Sequence, residues 1–139
     1  MTRAEFLSQL IGRAWHWNGG NCWDFAAHVQ RELFGHDLPS VAVPRDLSKR
    51  WVLQAFDGHP ERGEWREVAE GPGGIIVARD GALVLMAHLK MPGHIGVWLK
   101  PEGAIIHCDE KNGVCFETPL ALKQRGWRQL RFFEPKTPT

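Results

Sequence analysis

Apolar residues recur at three- and four-residue spacing in the first part of the chain and alternate with polar ones later, so helices are expected first and strands second. Phe6, Leu7, Leu10 and Ile11 form a short amphipathic stripe behind Thr2 and Glu5, a capping-box pattern, and end near Gly12. Phe25, Ala26, Val29 and Leu33 predict a second helix from about residue 22 to 34, with Asn21 as N-cap and Gly35 as stop. Leu47, Trp51 and Ala55 mark another short helix, ended by Asp57-Gly58-His59-Pro60. From Glu64 onward the chain reads as β, with strands expected over 65–68, 74–78, 82–86, 94–99, 104–109, 113–117 and 127–133. Lys111-Asn112-Gly113 has the chemistry of a tight hairpin turn. The tail from about 135, with Pro135 and Pro138, is expected to fray. Helices followed by an antiparallel meander give an α+β order, and 139 residues fit one domain over 1–139.

Two places in this pattern carry chemistry. Cys22, in Gly19-Gly20-Asn21-Cys22-Trp23-Asp24, sits in the first turn of the second helix and shares its inward face. Unpaired amides and the positive end of the helix dipole favour thiolate there, so a lowered pKa is expected. Downstream, His94-Ile95-Gly96-Val97-Trp98-Leu99 and Ala104-Ile105-Ile106-His107-Cys108-Asp109 alternate around the turn Lys100-Pro101-Glu102-Gly103. A hairpin of that loop length sets Leu99 opposite Ala104 and Gly96 opposite His107. His94 and His107 are then diagonal neighbours on one face, roughly 7–8 Å apart at the backbone. Ile95, Val97, Leu99, Ala104, Ile106 and Cys108 share the other, wholly apolar face. A nucleophile, a base and a group that orients the base are the parts of a thiol hydrolase, which needs no metal or other cofactor.

Composition narrows the partners. Net charge is +1 with no long run of one sign, which gives no argument for nucleic acid. The first residues, Met1-Thr2-Arg3-Ala4-Glu5-Phe6, lack the apolar run of a signal peptide, and no stretch approaches a membrane span. The expectation is therefore synthesis in the cytoplasm without a standard export signal and no membrane insertion. Cys22, Cys108 and Cys115 match no disulfide or zinc spacing, and the latter two read as small buried hydrophobes. His107 and Cys108 are adjacent strand residues facing opposite ways, which argues against a shared zinc ion.

The motifs Gly19-Gly20-Asn21-Cys22, His94-Ile95-Gly96-Val97 and Ala104-Ile105-Ile106-His107, in that order, resemble the NlpC-type cell-wall peptidases, a family of papain-like cysteine hydrolases. The resemblance spans about residues 15–133. It implies a papain-like fold in which N-terminal helices, the cysteine helix among them, pack on an antiparallel sheet. It also implies Cys22 as nucleophile, His94 as base and His107 as orienting residue. The implied activity is a cysteine endopeptidase or amidase acting on peptidoglycan stem peptides, usually at the bond between D-glutamate and the diamino acid. Asn21-Cys22-Trp23, the stretch Glu32-Leu33-Phe34-Gly35-His36-Asp37-Leu38-Pro39 and the closing Trp127-Arg128-Gln129-Leu130-Arg131-Phe132-Phe133 resemble a phage or prophage tail branch. Membership there implies tail-protein partners, carriage in a virion and action at the cell wall after delivery.

The chain also departs from the family. Many members carry a tyrosine upstream of the cysteine; this chain has none, and Trp15 or Trp17 occupies the region. Gly81-Ala82 stands where Gly-Asp is frequent. A permuted lipid-acyltransferase arrangement is excluded by order, because the histidines here follow the cysteine. Trp15, Trp17 and Trp23, with His16, are the candidate substrate-binding residues, core packing being the equal alternative for the tryptophans. His28, His36, His59 and His88 read as surface or loop residues. The connection from 39 to 74 is expected to border the substrate site. Rival functions are an injected interbacterial amidase toxin and a tail structural or assembly protein with little activity.

Overall fold

A computed structural model describes residues 1–15, 21–38, 64–89 and 93–136. The chain is α+β: a few helices with one six-stranded antiparallel sheet. Helix α1 spans Arg3–Leu10, and its N-cap Thr2 accepts the Glu5 N–H at 3.2 Å. Helix α2 spans Cys22–Val29 and continues as a wider π-helical turn, Gln30–Phe34, so the element covers the expected 22–34. Gly35 closes it at φ 69°, a left-handed conformation that glycine adopts without Cβ strain.

The strands are β1 (Trp65–Val68), β2 (Leu83–Ala87), β3 (His94–Leu99), β4 (Ala104–Asp109), β5 (Gly113–Glu117) and β6 (Gln129–Pro135), and a short helix α3 (Pro119–Gln124) precedes β6. The β3–β4 register is the one expected, with Gly96 opposite His107 and Leu99 opposite Ala104. The sheet order β1-β6-β2-β3-β4-β5 is not a meander, because β6 returns to lie between β1 and β2. Phe132 and Phe133 explain the return. They are adjacent on β6, point to opposite faces and fill both cores of the sheet.

One face of the sheet, with Leu83, Leu85, Ile95, Val97, Leu99, Ile106, Cys108 and Phe133, packs under Leu7 and Leu10 of α1 and Cys22, Trp23, Phe25, Ala26 and Val29 of α2. The other face, with Val84, Met86, Trp98, Ile105 and Phe132, is covered by Ala78, Ala82, Leu122 and Trp127. Each fully buried Leu or Ile contributes roughly 1.5–3 kcal/mol, so these two layers supply most of what holds the sheet. Arg3 ties α1 to the turns flanking β2 and β3, with bonds of 2.6 and 2.8 Å to Asp80 and 3.0 and 2.8 Å to Glu102. The segment after α1 runs along the outer edge of β5, where the Val114 N–H bonds the Arg13 carbonyl at 2.8 Å.

Several expectations are corrected. Residues 74–78 do not form a strand; a 3-10 turn at Pro72–Gly74 leads into backbone outside the sheet ladder, where Ile75 and Val77 are exposed. The last strand is shifted toward the C-terminus, and the start of the expected frayed tail is paired: Pro135 lies opposite Trp65, and the Lys136 N–H bonds the Glu64 carbonyl at 2.8 Å. Helix α3 was not anticipated, because only Leu122 of its six residues is buried and so short an element shows no periodicity. Its Thr118 cap and Pro119 at the first position were the available signals. The helix expected around Leu47, Trp51 and Ala55, like most of the 39–74 connection, lies outside the described residues.

Candidate active site

Asn21 shapes the start of α2. Its side-chain oxygen accepts the Asp24 N–H at 2.9 Å, and its amide donates to the Asp24 carboxylate at 3.0 Å. Cys22 is thereby the first helical residue, and it is only 4 % exposed. The backbone N–H groups of Ile95, Trp23 and Cys22 itself act on its sulfur. The thiol thus comes to β3 at Ile95, the residue after His94, but it does so from the helix-covered face. The His94 ring belongs to the other face of β3, where it stacks on Trp127.

The expectation of a lowered Cys22 pKa is reversed. Removal from water pushes the thiol up to about 12, and the three amides offset only part of that. A helix N-terminus favours a thiolate where solvent also helps to carry the charge; at this burial the desolvation cost is larger. Cys22 rests as a thiol.

The two histidines form a line of hydrogen bonds. His94 Nε2 and His107 Nδ1 are 2.9 Å apart, with ring centroids at 4.9 Å and planes at 86°. Gly96 makes this possible. It lies directly opposite His107 on the same face as His94, and a Cβ there would sit 3.1 Å from the His107 Cβ and 2.8 Å from Ile105 Cγ2. The line continues: His107 Nε2 is 3.1 Å from Glu117 Oε1, and Glu117 is gripped by Arg125 through bonds of 2.8 and 2.7 Å. Arg125 also reaches Asp109 at 3.4 Å. Trp127 stacks on His94 at 5.1 Å and 20°, and His88 stacks on Trp127 at 3.9 Å and 17°.

Burial lowers the His107 pKa from its ordinary value, and Glu117 and Asp109 recover only part of the difference. Burial acts to raise Glu117, but its bonds to Arg125 and His107 prevail and hold its carboxyl below the usual range. The pair is therefore a neutral imidazole beside an ionised carboxylate at neutral pH.

Glu117, Arg125 and Trp127 were not anticipated as site residues. Glu117 was within reach of the register argument that paired the histidines: it sits opposite Ile105, two residues before His107, and so neighbours His107 diagonally. The candidate substrate-binding residues fare differently. Trp23 is 1 % exposed within the helix-side core and Trp15 is half-buried against that core, so both serve packing. His16 and Trp17 lie outside the described residues, as does His59. His28 stacks on Phe6 at 5.6 Å, and His36 meets the edge of Trp65 at 5.8 Å. Cys108 is buried as expected, whereas Cys115 is only half-buried because it lies on the His107 face rather than in the helix-side core.

His107, Cys115 and Glu117 bring one potential metal-ligand atom each within 4.8 Å of one another. Both His107 nitrogens and both Glu117 oxygens are already engaged with His94 and Arg125 or with each other. An ion would have to displace the guanidinium, so these donors do not fit a resident metal as they stand. No known family model matches this chain, and no curated protein sequence matches it.

Proposed function

We propose that this protein is a papain-like cysteine amidase or endopeptidase that hydrolyses peptidoglycan stem peptides, with Cys22 as nucleophile, His94 as base and His107 as orienting residue. The observation that carries the reading is the 2.9 Å bond between His94 and His107 on the strand that the Cys22 thiol approaches at its next residue. The resemblance of the three motifs to the NlpC-type peptidases supplies the substrate class, and their tail-branch flavour supplies delivery to the wall by a virion.

In this mechanism Cys22 enters as a thiol. His94 accepts its proton as the sulfur attacks the amide carbonyl, so general-base transfer replaces a preformed thiolate. Backbone N–H groups at the start of α2 stabilise the oxyanion. His94 then protonates the leaving amine, and water hydrolyses the thioester.

Digestion of purified sacculi, read by mass spectrometry, tests the proposal. Wild-type protein is expected to release cleaved stem peptides and Cys22→Ala none. Intact sacculi with folded, reduced wild-type protein reject it. The deep burial of Cys22 favours the second reading, a tail structural protein, in which Cys22→Ala leaves assembly unchanged.

A further inference from the structure

The chain of bonds does not stop at the orienting histidine. Neutral imidazole carries one proton on one of two nitrogens, and the partner of each ring fixes which one. A carboxylate accepts hydrogen bonds only. Glu117 Oε1 therefore requires the His107 proton on Nε2, 3.1 Å away. His107 Nδ1 is then an acceptor, and His94 must supply the proton between them from its own Nε2, 2.9 Å away. The consequence is that Nδ1 becomes the basic nitrogen of His94. A carboxylate two rings removed from the cysteine selects the nitrogen that accepts its proton.

We propose that Glu117, held by Arg125, is a positioning residue that fixes the tautomers of both His107 and His94. The role assigned to the basic nitrogen rests on the hydrolase reading above; the tautomers themselves do not. Arg125 keeps Glu117 an acceptor by two bonds to its oxygens and leaves Oε1 directed at His107. Among the described residues, the charged and titratable groups that face the pair include Asp109 from β4, Cys115 and Glu117 from β5, and Arg125 after α3. Asp109 bonds Arg125 and acts on both imidazoles through its charge, whereas the hydrogen bond of His107 Nε2 is accepted by Glu117.

Long-range proton–nitrogen NMR of the full chain labelled with 15N-histidine tests this without any substrate. Wild-type His94 and His107 are expected to carry protons on Nε2, with Nδ1 unprotonated. Glu117→Gln offers both a carbonyl and an NH2 to His107, so both rings are expected to become tautomer mixtures, and kcat to fall about 10–100-fold with KM unchanged. The titration of His107 supplies the second readout. It should move down in Glu117→Gln, where the attracting carboxylate is lost, and up in Arg125→Gln, where the repelling guanidinium is lost. Opposite shifts are not produced by a general loosening of the fold. A wild-type His107 protonated on Nδ1 overturns the proposal, as does an unchanged tautomer in folded Glu117→Gln. If Glu117→Gln fails to fold, the wild-type tautomers and the Arg125→Gln shift decide it. Tautomers as stated in a protein that leaves sacculi intact would reject the hydrolase and retain the relay.

Discussion

Gly96→Ala is the sharpest test of how the sheet builds the histidine pair. Gly96 faces His107 across the β3–β4 ladder, and an added methyl would lie 2.8 Å from Ile105 Cγ2, 3.0 Å from the Ile106 carbonyl oxygen and 3.1 Å from the His107 Cβ. Carbon atoms prefer separations of about 3.5–4.0 Å, so each of the two carbon contacts is too short by several tenths of an ångström. Ile105 and His107 are fully buried, and the carbonyl belongs to the ladder, so none of the three can step aside alone. The two strands must part locally, which costs about 1–3 kcal/mol and lowers the melting temperature by roughly 3–10 °C. The same displacement lengthens the His94–His107 bond from 2.9 Å. Thermal unfolding followed by circular dichroism gives the stability change, and histidine NMR reports whether the two rings remain bonded. An alanine variant as stable as wild type with the imidazole bond intact would show that the ladder yields freely and that glycine is not what admits the second ring.

Acidification should destabilise the protein in two windows. Burial presses His28, His36 and His107 below the ordinary value of 6.5, so the unfolded chain takes up protons first. Their contribution is complete above that value and is lost beneath it, by up to about 1.4 kcal/mol per pH unit for the buried His107. Burial acts to raise Asp80, Asp109, Glu117 and Glu134, yet hydrogen bonds and nearby cationic groups hold them below 3.8 for the aspartates and 4.5 for the glutamates. Their contribution is present above those values and disappears as pH falls through the lower, folded ones. Urea midpoints measured across the acid range check both windows, and a flat profile below pH 6.5 contradicts the first. Gln30→Leu should cost about 1–3 kcal/mol, because it leaves the Gly81 carbonyl and a His36 ring nitrogen without their buried partner. A midpoint equal to wild type would mean that water or a shifted side chain satisfies both.

The parts of the molecule legible in the sequence are those set by local periodicity and short loops. The α2 start at Asn21-Cys22, the 100–103 turn and the alternation of 94–99 with 104–109 each depend on neighbours within a few residues, and register followed from loop length. The place of β6 did not, because nothing local tells 129–135 to enter between β1 and β2 rather than beside β5. Glu117 was hidden differently. Its role depends on a second hairpin register and on Arg125, which a short helix carries back to it. The Cys22 pKa was not legible because the helix end is a local feature, whereas the burial that dominates it comes from the distant sheet.

The position of β6 makes the candidate site a late product of assembly. Trp65 finds its partner in Pro135, and Leu83 finds one of its two in Phe133, so the middle of the sheet is stitched by contacts that are distant in sequence. One strand delivers Phe132 to one core and Phe133 to the other, and the residues just before it deliver Trp127 to His94. Docking this segment closes two hydrophobic layers and seats the imidazole in one event. An intermediate lacking it would hold the β3–β4 hairpin without the stacking surface behind His94. Folding should accordingly be slow and all-or-none, and the histidine pair should gain its stacking surface only with the completed domain.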